Sequence, residues 1–199
     1  LSQILDRLEA TENGIVTGSG MAAVSSAVMA ILSTGDHIIA GDQLYGRSLR
    51  LMSEELPRLG ISTTLANASS SDDIAQAIKP NTKMILIEGI SNPTLRVADF
   101  HGISSICKEA GIILAVDNTF TTPKAFQPLK HGADIVIHSV TKLLAGHSDV
   151  TLGYVVAKDT ALNKHIYDFA VTTGLTASPF DCWLAERGLL TFDLRFEKA

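Results

Sequence analysis

Short apolar runs alternate with longer stretches of helical spacing along most of the chain. "IVTG", "HIIAG", "STTLAN", "KMILIEG", "GIILAVDN", "DIVIHS" and "TLGYVVAK" are short and rich in β-branched residues, as strands are. Between them "MAAVSSAVMAILS", "RSLRLMSEELPRLG", "SSSDDIAQAIK", "ADFHGISSICKEAG" and "TTPKAFQPLKHGA" read as helices. Runs such as "KMILIEG" and "IILAV" are continuously apolar rather than alternating, the pattern of strands covered on both faces. The rhythm predicts an α/β domain built on a mostly parallel, doubly wound sheet with helices on both faces. After residue 160, "TALNKHIYDFAVTTG" and "SPFDCWLAERGLLTFDLRFEKA" read as helices that cross the sheet or lead away from it. No Pro-, Gly- or Ser-rich linker divides the chain, so residues 1–199 are read as one domain.

Composition narrows the function. With 46% hydrophobic residues in 199, the chain can fill a core. A formal net charge of −5 and no long basic run argue against a nucleic-acid partner. No apolar stretch approaches the length of about 18 residues that a membrane span requires, and no charged-then-apolar leader opens the sequence. Cys107 and Cys182 lie in predicted helices without CxxC or metal-ligand spacing, which suggests reduced thiols and a cytoplasmic protein. "LSQILDRLEA" begins without a cap and "RFEKA" stops without a helix-ending Gly or Pro, so a piece of a longer protein is expected.

In open α/β sheets ligands sit at the carboxyl ends of the strands, and here reactive residue types recur just after the apolar runs. Gly18-Ser19-Gly20-Met21 follows "IVT" and opens a helix, where glycines and free N–H groups favour a phosphate. Tyr45 follows "HIIAGDQL", Ser91-Asn92-Pro93 follows "KMILIEG", and Asp117 ends "IILAV". Ser139-Val140-Thr141-Lys142 follows "DIVIH"; alternate hydroxyls on a still-extended backbone would face one side. Each residue taken singly has a plain reading as a turn, a helix cap or a surface side chain. Together they meet the needs of pyridoxal phosphate: a lysine for its Schiff base, an acid for its pyridine nitrogen, and donors around its phosphate. A competing reading takes Gly18 to Ala23 as the dinucleotide fingerprint G-x-G-x-x-A, with Asp36 or Asp42 on the ribose, and makes the protein an oxidoreductase.

"SGMAA", "YG", "SNPTLRVAD", "VDNTF", "HSVTKLLAGHSD" and "SPFDCWLAERGL" resemble, in order and spacing over essentially the whole chain, the landmarks of the Cys/Met-metabolism family of pyridoxal-phosphate enzymes. That family includes cystathionine γ-synthases, γ- and β-lyases, O-acylhomoserine sulfhydrylases and methionine γ-lyases. The resemblance implies the large domain of a fold-type-I, aspartate-aminotransferase-like enzyme of transsulfuration, working as a homotetramer or at least a dimer. By resemblance Lys142 matches the Schiff-base lysine, Asp117 the partner of the pyridine nitrogen, and Ser139 and Thr141 side-chain phosphate ligands. Gly20 and Met21 match backbone phosphate donors, Tyr45 the tyrosine on the ring, and Asn92 the donor to the phenolic oxygen. Implied with the cofactor are γ-replacement or γ-elimination on homoserine-derived, cystathionine- or methionine-type substrates, with Lys142 also serving as base.

The chain departs from the family at Glu88-Gly89-Ile90 where "ETP" is common, at Leu143 where an aromatic often follows the lysine, and at Arg47 where a small residue or a cysteine is usual. The family's N-terminal Tyr-x-Arg segment and its substrate-carboxylate arginine have no match; Arg187 and Arg195 do not correspond to the latter. A truncated, non-catalytic relative is the remaining alternative. His138, His147 and Asp149 are read as hydrogen-bonding residues around the lysine loop rather than metal ligands. Asp99 is expected to start a helix. Phe180 and Trp183, at helical spacing, are expected in the core or a subunit interface.

Overall fold

The computed structural model describes residues 1–199, and each predicted strand is present: β1 (Ile15–Thr17), β2 (His37–Gly41), β3 (Ser62–Ala66), β4 (Thr82–Glu88), β5 (Ile113–Asp117), β6 (Ile135–Ser139) and β7 (Gly153–Ala157). They form one sheet in the order β1-β7-β6-β5-β4-β2-β3. The strands from β6 to β3 run parallel, while β7 pairs antiparallel with both β6 and β1. The continuous apolarity of the central strands follows from this arrangement. Met84 and Leu86 of β4 join one buried cluster, Ile85 and Ile87 the cluster on the other face. Each fully buried Ile or Leu stabilises by roughly 1.5–3 kcal/mol, which lets the sheet's end carry partly desolvated acids.

Helices cover both faces: α1 (Ser2–Glu9), α2 (Gly20–Ile31), α5 (Ser71–Ala77), α6 (Phe100–Ala110), α8 (Thr160–Thr172), α9 (Pro179–Leu189) and α10 (Phe192–Lys198). Their starts are written in the sequence. Ser19, Ser70, Asp99, Asp159 and Ser178 each accept an N–H from the first turn of the helix they precede. Two predicted helices are broken, each beside a proline. "RSLRLMSEELPRLG" becomes α3 (Gly46–Arg50), a π turn (Leu51–Glu55) and α4 (Leu56–Arg58), because Pro57 has no N–H to give the preceding turn. "TTPKAFQPLKHGA" becomes α7 (Thr122–Ala125) and a 3₁₀ turn (Pro128–His131), with Phe126 extended and Gln127 non-helical ahead of Pro128.

The topology overturns the dinucleotide reading. That fingerprint belongs on a turn after a central parallel strand, but β1, which leads into Gly18–Ala23, is an antiparallel edge strand. Asp36 also precedes β2, which puts it at the opposite end of the sheet from the turn. The core reading of Phe180 and Trp183 fails as well: they are 65% and 59% exposed, their rings 5.9 Å apart on the outer face of α9.

Candidate active site

The turn from β1 into α2 supplies one wall. Ser19 accepts the Ala22 N–H at 2.9 Å, which leaves the N–H groups of Gly20 and Met21 without intrahelical partners. A Cβ on Gly20 would fall 2.7 Å from the Cβ of Ser139, so only glycine lets the turn lie against the end of β6. Met21 Sδ accepts from Ser48 Oγ at 3.7 Å, which ties this helix start to α3, just beyond Tyr45.

From Ser139 an unbroken set of contacts runs across the strand ends. The Ser139 N–H donates to Thr119 Oγ1 at 2.7 Å, and the Thr119 N–H donates to Asp117 Oδ1 at 3.0 Å. Asp117 pairs in register with Glu88 on β4. Glu88 Oε1 accepts the Tyr45 N–H at 2.6 Å, and the Asn92 backbone N–H faces the same carboxyl. Gly20, Met21, Ser139, Asp117, Tyr45 and Asn92 are thus brought together. Lys142 lies on the turn after Ser139, its N–H bonded to Ser139 O at 3.1 Å. Its side chain is exposed, with no acceptor or acid holding the amine.

Thr141 is placed otherwise than the alternation argument expects. The strand ends at Ser139 and the chain turns, so the two hydroxyls do not share an extended face. Thr141 Oγ1 accepts the Leu152 N–H at 2.9 Å and donates to Leu152 O at 3.1 Å, so its proton serves the backbone. His147 Nδ1 lies 2.6 Å from Ala145 O, and Asp149 pairs with Arg187, so both brace the lysine loop. His138 instead points away, toward α1. No group of three His, Cys, Asp or Glu side chains gathers as a metal site.

Burial pushes the Asp117 carboxyl above the usual carboxylate range; hydrogen bonds from Thr119 and the nearby His138 pull it down, and burial prevails. Glu88 is pushed up to about 7, first by burial and then by the Asp117 charge, against the two backbone N–H bonds. A cation seated against Asp117 would relieve both. The residues therefore fit pyridoxal phosphate: unpaired N–H groups in a glycine cradle, a free lysine amine, and an acid in need of a cation.

Several supporting residues carry no local sequence signal. Behind Asp117, Glu9 Oε1 and His138 Nε2 form a fully buried pair at 2.5 Å, with Asn118 Nδ2 at 3.4 Å. Arg195 donates to the carbonyl oxygens of Leu143, Leu144 and Gly188, clasping the lysine turn from α10. The partners lie 129 and about 50 residues apart, and no local pattern links them.

The model of the family described as Cys/Met metabolism PLP-dependent enzyme matches residues 1–199. Cystathionine gamma-lyase of Bacillus subtilis (strain 168) is 45% identical over 197 residues, which cover 99% of this chain and 52% of that protein. Cystathionine beta-lyase MetC of the same organism is 42% identical over 199 residues, covering 100% and 51%. The crystal structure of cystathionine gamma synthase from Xanthomonas oryzae pv. oryzae in complex with aminoacrylate and cysteine superposes with a TM-score of 0.93 at 38% identity, over 97% of this chain and 50% of that one. The chain spans about half the length of the curated relatives it matches.

Proposed function

This chain belongs to the Cys/Met-metabolism family of PLP-dependent enzymes, and from that premise we propose that residues 1–199 form the cofactor-binding large domain of a transsulfuration enzyme. The reaction is γ-elimination or γ-replacement on a cystathionine-type or activated homoserine substrate. The single observation that carries this reading is the run of contacts from Gly20 through Ser139, Thr119 and Asp117 to Glu88, with a free lysine amine on the adjoining turn. The relatives' names, a γ-lyase, a β-lyase and a γ-synthase, support the substrate class.

Pyridoxal phosphate, when bound, supplies an electron-poor ring that takes up the charge released at an amino acid's α-carbon. Lys142 would hold it through Nζ, and the same amine would move a proton to and from that α-carbon. Asp117 would keep a proton on the pyridine nitrogen, which is what lets the ring act as an electron sink. The N–H groups of Gly20 and Met21 and the Ser139 hydroxyl hold the phosphate. Thr141 joins them by turning its proton away from Leu152 O. Tyr45, 52% exposed and so free to meet a ligand, would cover the ring face, and Asn92 would donate to the phenolic oxygen. The working protein is a homo-oligomer, completed by segments outside this chain.

The test is turnover by the full-length protein with pyridoxal phosphate. Cystathionine should yield keto acid, ammonia and a free thiol, or O-acetylhomoserine plus a thiol should yield the thioether. Lys142→Ala should do neither. Turnover of these substrates by Lys142→Ala at the wild-type rate would rule out the assignment.

A further inference from the structure

We propose that Glu88 is the positioning residue of the ring site: one carboxyl at the end of β4 holds the Tyr45 and Asn92 segments against the acid of β5. This rests on the cofactor reading above and adds a residue to it. Two separate loops converge on the carboxyl. The Tyr45 N–H, at the start of α3, lies 2.6 Å from Oε1, and the Asn92 backbone N–H, in the loop after β4, faces the same group and lowers its pKa. Those loops also bond each other, through Thr94 Oγ1 to Gln43 Oε1 at 2.9 Å, and Ser91 Oγ lies 2.7 Å from Thr94 Oγ1. Glu88 stands where the two loops meet the sheet, in register with Asp117.

The charges around Glu88 make this hold depend on what Asp117 faces. Asp117 approaches from β5, with His138 beyond it on β6; the Asp42–Arg96 pair, 3.8 Å apart, lines the small cavity on the other side. Neither Asp42 nor Arg96 is among the groups that set the Glu88 proton; burial and Asp117 hold it to about 7. A carboxylate accepts two N–H bonds better than a neutral acid does. A cationic ring nitrogen at Asp117 would cancel the repulsion, leave Glu88 ionised, and tighten both loops at once.

The experiment uses the full-length protein freed of cofactor, as wild type, Glu88→Gln and Glu88→Ala. Because the folded-state value lies above the ordinary one, the Glu88 contribution to stability is present at low pH and lost as pH rises through about 7. The thermal midpoint of the cofactor-free wild type should therefore fall relative to Glu88→Gln between pH 5 and pH 8. Glu88→Ala should weaken pyridoxal phosphate binding about tenfold, leave inorganic phosphate binding unchanged, and be largely rescued by Glu88→Gln, which still accepts an N–H. Parallel pH curves for wild type and Glu88→Gln, or equal loss of both ligands in Glu88→Ala, overturn the role given to Glu88. A wild type that takes up no pyridoxal phosphate overturns the cofactor reading, and this inference with it.

Discussion

At the end of β5 the Asp117 carboxyl gives up water and gains the Thr119 donors and the proximity of His138, yet burial still raises its pKa. Such a group stabilises the fold below its unfolded value, and that contribution is lost as pH rises through the folded one. Without cofactor, then, an ionised Asp117 burdens the folded protein at neutral pH. Asp117→Asn keeps an oxygen for the Thr119 N–H and removes the charge. We expect the cofactor-free variant to melt above wild type at pH 8, while turnover falls by roughly 10²-fold or more, the scale of losing a preorganised charge at a reacting centre. Calorimetry and steady-state rates on the two proteins check both halves. A variant less stable than wild type at pH 8 would show that the site carries no such strain.

Among the elements, the lysine turn shows how distant helices fix a loop at the end of the sheet. Arg195 spreads its donors over three carbonyl oxygens from a partly buried position, and burial lowers its pKa, though it stays a cation. Arg187 and Asp149 clasp the same loop from a more exposed pair, with side chains 50% and 31% exposed. Removing three carbonyl bonds at about 0.5–1.5 kcal/mol each predicts that Arg195→Ala costs roughly 2–4 kcal/mol. Arg187→Ala should cost at most about 1 kcal/mol. Denaturant titrations of the full-length variants would separate them, and equal losses would contradict this reading of the clasp.

The same turn marks the limit of what the chain alone discloses. Apolar runs locate the strands, and Asp117 and Lys142 stand out because an acid and an amine follow β-rich segments directly. Ser19 and Asp99 are legible as caps for similar local reasons. Arg195, Glu9 and Glu88 are not. Their partners are backbone atoms or side chains brought near by the sheet order, and nothing within a few residues of each one points to them. Alternation does not set the direction of the Thr141 hydroxyl, because it presumes an extended backbone and the strand ends two residues earlier. Phe180 and Trp183 lie outside the core, because helical spacing does not say which face of a helix is covered within one chain.

For the whole molecule, Phe180, Trp183, Leu190 and Leu194 leave apolar surface exposed along α9 and α10, and the relatives are about twice as long. The proposed homo-oligomer predicts a sedimentation mass at least twice that of one full-length chain; a single-chain mass would contradict it. The central claim is that this fold holds pyridoxal phosphate on one lysine. It is tested most directly by adding the cofactor to the full-length protein, recording the visible absorption, reducing with borohydride and mapping the labelled peptide. The account predicts a borohydride-sensitive band and a single label on Lys142. No band, or a label on another lysine, would contradict it.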